Sequence, residues 1–173
     1  MRVIVVFESM FGGTEKVAQA IAAGIAVSVP VEVHNVDKAP RDLTGVGLLV
    51  AGGPTHVHAM SRAATRKAAA DQVGYEPHSH TGVREWLDSL GPVPAGLPVA
   101  TFDTRVGKPR VLTGAASLGA AKRLRRLGCR MMAPPESFFV GTDPVDAGPV
   151  PGELARAEAW GAALGAALRR TLV

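Results

Sequence analysis

The stretch FESMFGGTEKVAQAIAAGI, residues 7–25, decides how this chain is built. It joins an apolar run, Arg2 to Phe7, to a segment in which Val17, Ala18, Ile21, Ala22 and Ile25 recur at helical spacing. A near-continuous apolar run of that length reads as a parallel strand buried on both faces. The periodic segment reads as an amphipathic helix over Thr14 to Val27. Between them, Gly12 and Gly13 let the backbone turn sharply and bring bare amides close to a ligand. Those amides open a helix, where unpaired N–H groups and the macrodipole favour an anion. Ser9 and Thr14 add hydroxyl groups. The junction has the makings of a phosphate site, although a glycine-rich turn alone does not separate that reading from a tight connection. It is not a P-loop, since no Gly-Lys-Ser/Thr follows, and G-x-G-x-x-G is absent.

Working outward, strand-like and helix-like segments alternate. Val31 to Val36 reads as a second strand, Gly45 to Ala51 as a third and Val99 to Phe102 as a fourth. Cys129 to Met132 starts a fifth, which Pro134-Pro135 interrupts before it resumes at Ser137 to Val140. Ser61 to Val73 reads as a helix with Arg62, Arg66 and Lys67 exposed. Thr81 is placed to cap a short helix through Leu90, and Thr113 to cap one ending near Leu127, with Gly128 as its C′ residue. Glu153 to Leu172 completes the series, with Leu154, Trp160, Leu164 and Leu168 inward. Gly74 to His80, Gly91 to Pro98 and Gly141 to Pro151 read as connections. Strands alternating with helices imply right-handed βαβ units and a parallel sheet covered on both faces.

Composition narrows the field. The 173 residues suit one domain, 1–173, and the 47% of hydrophobic residues mark a globular chain. The single cysteine, Cys129, permits no disulfide within the chain, which fits a reducing cytoplasm. The N-terminus reads as a strand rather than a signal peptide, and no apolar run approaches the roughly 20 residues of a membrane span. The expected location is therefore cytoplasmic. A net charge of +4 raises the question of nucleic acid, but aromatics are 5% and no recognition motif is present, so nucleic-acid binding is not expected.

The order Ser9-Met10-Phe11-Gly12-Gly13-Thr14-Glu15 closely resembles the phosphate loop of the flavodoxin family, Ser/Thr-x-Thr-Gly-x-Thr. AGGPTHVHAMSR (51–62) and TFDTRVGKPR (101–110) fall where that family places its two flavin loops, and the resemblance covers nearly the whole chain. It implies an α/β three-layer sandwich: a five-stranded parallel sheet in the order 2-1-3-4-5, with helices on both faces. It implies FMN as the cofactor. Ser9, Met10, Phe11, Gly12, Gly13 and Thr14 would hold the phosphate. Pro54, Thr55, His56 and Val57 would lie against one side of the isoalloxazine, and Phe102, Asp103, Thr104 and Arg105 against the other, although Asp103, at a strand end, is equally placed to cap a turn. Two departures stand out. Phe11 replaces the middle threonine, a subfamily feature, and neither flavin loop carries the Trp or Tyr that commonly sandwiches the ring.

The remaining candidates are weighed by chemistry. His56 and His58, and His78 and His80, form two H-x-H pairs, but without nearby Asp, Glu or Cys partners they are not expected to hold a metal. His78 and His80 are expected on a loop that closes over the site. Arg105 beside the flavin would stabilise added negative charge on it. Arg105, Lys108 and Arg110 form a basic loop where the family usually has an acidic face, which points to an acidic redox partner or to the phosphates of NAD(P)H. Positions 56–59 lack a glycine, so a peptide flip there meets steric resistance. Cys129 reads as core, and no catalytic residues are assigned. The expected function is electron transfer by bound FMN. The alternatives are an NAD(P)H-dependent, quinone-reductase-like FMN oxidoreductase, and a flavodoxin-fold interaction module that has lost FMN.

Overall fold

A computed structural model describes residues 2–74, 76–143 and 148–171. The elements follow in chain order: β1 (Arg2–Phe7), α1 (Gly13–Ala26), β2 (Val31–Asn35), β3 (Val46–His56), β4 (Ala59–Met60), α2 (Ala63–Val73), α3 (Val83–Asp88), β5 (Pro98–Val106), α4 (Arg110–Thr113), α5 (Ala116–Arg126), β6 (Arg130–Met131), β7 (Glu136–Val140) and α6 (Glu153–Arg170). The sheet runs β2-β1-β3-β5, and both β6 and β7 pair in parallel with the outer side of β5. The fifth position is thus one strand in two pieces, broken around Pro134-Pro135 because proline cannot donate to a ladder. The order 2-1-3-4-5 holds, with one antiparallel addition: β4 folds back on β3.

Alternation along the strands divides the core. Val3, Val5, Phe7, Leu48, Val50, Ala100 and Phe102 face α1 and α6, where Val17, Ile21, Ile25, Leu164 and Leu168 meet them. Ile4, Val6, Leu49, Ala51 and Val99 face the other way, onto Trp86 and Leu87 of α3 and Leu124 of α5. A side chain at Gly24 would collide with the Glu158 carbonyl, and one at Gly161 with the Ile21 carbonyl, so these two small residues set how closely α1 and α6 cross.

The structure corrects several local expectations. The third and fourth strands run on to His56 and Val106, through the segments expected to be loops. Leu154 is exposed rather than inward. Gly82, not Thr81, precedes α3, and the Thr81 N–H is taken by Asp37 instead. Thr113 closes its own short turn, α4, while Ala115 precedes α5; Gly128 does adopt the left-handed conformation after that helix, at φ 83°. Arg66 is buried, although its helix, α2, is otherwise exposed or half-buried. Residues 144–147 of the expected connection, and Leu172, lie outside the described residues.

Candidate functional site

The C-terminal ends of β1, β3 and β5 bring three segments together, as an open parallel sheet requires of a binding site. The first is the turn from β1 into α1. Gly12 is the residue before the helix and sits at φ 94°, a conformation that costs a side-chain-bearing residue. The Ser9 Oγ accepts the Gly12 N–H at 3.0 Å and the Glu15 N–H at 3.4 Å, which holds the loop curled over the helix start. Gly13 and Thr14 stand in the first turn, where N–H groups have no intrahelical acceptor. The Thr14 hydroxyl is 2.7 Å from that of Thr104, tying the turn to β5. Met10 is buried, and Phe11 is half-buried.

The second segment is a hairpin. Thr55 pairs with Met60 and His56 with Ala59, leaving Val57 and His58 as a two-residue turn. Both have positive φ, 44° and 67°, the backbone of a type I′ turn that favours Asn-Gly. A β-branched valine there is strained. The hairpin tip abuts Gly114, where a Cβ would collide with the His58 carbonyl. Clefts of about 350 Å³ and 240 Å³ flank His56 on its α2 side, and Val57 and Thr65 line both. Burial pushes the His56 imidazole below its usual range; the Thr65 backbone opposes this, and the Arg66 charge adds to it.

The third segment follows Phe102. Phe102 lies wholly in the core, packed where Gly52 has no side chain, so it is a core residue and not a surface for a flavin. Asp103 is also buried. Its Oδ2 accepts the Ser117 N–H at 2.9 Å, and the Thr55 Oγ1 accepts the Ala116 N–H at 3.0 Å. These two residues cap α5, whose own preceding residue, Ala115, carries no cap. Burial raises the Asp103 carboxyl above its ordinary range, and its Oδ1 has no partner. Arg105 is turned into its own loop. Its guanidinium donates to the carbonyl of Lys108 and, at 3.1 Å, to the Thr113 Oγ1, and stacks 5.0 Å from the centre of the Phe139 ring. Lys108 is exposed, and Arg110 reaches the Pro135 carbonyl and the Ser137 hydroxyl.

This frame is that of known proteins. No protein-family profile and no curated protein matches the chain. Solved structures do. An archaeal flavodoxin superposes over 98% of this chain and 99% of its own, with a TM-score of 0.68 at 20% identity. The fold is that of the flavodoxins. A flavodoxin from Bacillus cereus matches over the full length of both chains, with a TM-score of 0.65 at 16% identity. The rubredoxin oxygen:oxidoreductase of Desulfovibrio gigas matches at 0.69 and 16% identity; the chain spans 37% of that protein's length, and 36% of a flavodiiron core from Synechocystis.

Within this flavodoxin fold, a polar network lies behind the hairpin. The Glu8 Oε1 accepts the Ser61 hydroxyl at 2.5 Å, and its Oε2 accepts the Val83 N–H at 2.9 Å. Arg66 donates to the Ser61 Oγ at 2.8 Å and forks onto Glu85 at 3.2 and 3.3 Å. Arg84 donates to the carbonyls of Met60 and Ser61. The network clips the end of β1, the hairpin and α3 into one unit. Burial raises the Glu8 carboxyl, against the Ser61 and Val83 hydrogen bonds and the Arg66 charge. The only prior signal was an acidic residue ending an apolar strand directly before Ser9. The loop that carries His78 and Ser79 is bonded to the turn after β1. Their N–H groups donate to the carbonyls of Met10 and Ser9, both at 2.9 Å, and the Ser79 Oγ accepts the Ser9 N–H. The loop that carries them is laced to the phosphate turn.

An FMN phosphate fits the first segment: Gly12 forms a cradle that a Cβ would fill, since it would lie 3.3 Å from the His78 ring, and the helix start supplies donors. Pro54, His56 and Val57 stand at the next strand end over, on a hairpin that the buried network holds in place. No helix among the described residues is long and apolar enough to cross a membrane.

Proposed function

We propose that this chain binds FMN and carries electrons between partner proteins. The observation that carries the reading is the turn Ser9–Thr14. A left-handed glycine, a hydroxyl that curls the loop and the open start of a 14-residue helix together present donors to an anion. Ser9, Gly12, Gly13 and Thr14 would hold the phosphate. His56 and Val57 on the hairpin, and Thr104 and Arg105 at the end of β5, would flank the ring, with Arg105 ordering its loop rather than contacting the flavin. When bound, FMN supplies reversible electron uptake, and the protein's part is to bind and orient it and tune its surroundings.

Two carboxylates at these strand ends are committed to structure: Asp103 caps a helix, and Glu8 is enclosed by Ser61 and Val83. This favours the carrier over an oxidoreductase acting on its own. Exposed Lys108 and Arg110 at the rim suit an acidic redox partner. The test is an anaerobic one. The purified protein, loaded with FMN and reduced by dithionite, is mixed with a one-electron acceptor and separately with quinone plus NADPH. Fast oxidation by the acceptor with negligible NADPH turnover supports the carrier. Sustained NADPH consumption supports the quinone-reductase alternative, and a chain that stays colourless with FMN supports the interaction module.

A further inference from the structure

We propose that His78 is a ligand of the FMN phosphate and that it makes this site prefer FMN over unphosphorylated flavin. The inference rests on the FMN reading above and concerns a residue outside the phosphate turn itself. The imidazole lies against the residue that shapes the turn: its Cε1 would be 3.3 Å from a Cβ at Gly12, and its Nδ1 3.8 Å. Nδ1 is 3.0 Å from the Glu15 Oε2. That contact occupies the ring nitrogen nearer Gly12, and Nε2 is the one that Glu15 does not engage.

The ring is held there by its backbone. The His78 N–H donates to the Met10 carbonyl, and the His78 carbonyl accepts the Asn35 Nδ2 at 2.8 Å. Ser79 is buried and bonded to Ser9 and Asn35, and Asp37 accepts the N–H groups of His80 and Thr81. A side chain on a segment fixed this closely is positioned rather than merely nearby.

Charge explains why a histidine suits the place. Glu15 lies in the first turn of α1, where the macrodipole welcomes its carboxylate but where a phosphate would meet it as a like charge. An imidazole between them, with Nδ1 toward Glu15 and Nε2 toward the phosphate, would turn that repulsion into a bridged contact. The other charged groups near this loop are Glu76, His80 and Asp37, with His80 within ion-pairing distance of both carboxylates, and Lys16, exposed at the start of α1.

The test compares FMN with riboflavin, which lacks the phosphate, on wild type and His78→Gln, by quenching of flavin fluorescence. The expected result is about a tenfold loss of FMN affinity in His78→Gln, one hydrogen bond to a charged group, with riboflavin affinity unchanged. Inorganic phosphate added to the flavin-free protein should also move the His78 ring signals in its NMR spectrum. Equal losses for both flavins would mean that His78 only supports the loop. No loss for either, or ring signals indifferent to phosphate, would remove it from the site. Each of these outcomes overturns the proposal while leaving FMN binding intact. A wild-type chain that binds neither flavin refutes the FMN reading, and this role with it.

Discussion

Val57 at the hairpin tip is the clearest local conflict between sequence and backbone. A β-branched residue at φ 44° lies in the left-handed region, which costs a non-glycine residue about 1–2 kcal/mol. Its side chain is 78% exposed, so little apolar burial offsets that cost. Asparagine enters the same region readily, and Val57→Asn is expected to stabilise the fold by about 1 kcal/mol. For a domain of this size that corresponds to a rise in Tm of roughly 2–4 °C. His58, at φ 67°, is a residue type enriched at positive φ, and glycine there adds unfolded-state entropy, so His58→Gly should be nearly neutral. Thermal unfolding followed by circular dichroism measures both. A Val57→Asn variant with unchanged or lowered Tm, and native secondary structure, would refute the argument from strain.

Arg66→Ala should destabilise the fold by about 2–3 kcal/mol in urea, less than a fully buried pair because Glu85 is 40% exposed, whereas Lys67→Ala should stay within about 0.5 kcal/mol. His56 is held neutral by burial, so its contribution to stability is present above about pH 6.5 and is lost as pH falls toward its lowered folded value. Urea midpoints at pH 7.5 and 5.5 should therefore differ less in His56→Gln than in wild type. Arg105→Gln should loosen the loop over 106–113, detected as faster amide exchange there, and leave the flavin potential nearly unchanged. Lys108→Gln should slow stopped-flow association with an acidic donor and flatten its salt dependence, since exposed charges are screened over about 10 Å at 0.1 M salt.

Much of the fold was legible because its signals are local. Apolar runs marked the buried parallel strands, the 3.6-residue period marked α1, and Pro134-Pro135 marked the break between β6 and β7. The misses involve partners distant in sequence. Arg66 was read as solvent-facing because its helix is alanine-rich and polar; Ser61 and Glu85 bury it. The strand end that Thr55 occupies suggests a flavin contact, yet its hydroxyl caps α5 with Asp103, for which the sequence leaves a cap and a ligand contact equally open; the residue before that helix, Ala115, has no side-chain acceptor. The position of Phe102 in the loop after the fourth strand suggests a ring contact, but strand alternation and the missing side chain at Gly52 send it into the core. The lengths of β3 and β5 were underestimated because pairing with β4 and β7 extends them, and no single segment encodes its partner.

The central claim is that the turn Ser9–Thr14 binds FMN through its backbone. Titration of FMN into wild type and Gly12→Val, followed by fluorescence quenching, tests it most directly. The φ of 94° at Gly12 strains any residue with a side chain, and a Cβ there would crowd the His78 ring at 3.3 Å. Wild type should quench FMN saturably at 1:1 and Gly12→Val should not bind it, with both proteins folded by circular dichroism. Equal affinity in the two proteins would contradict it.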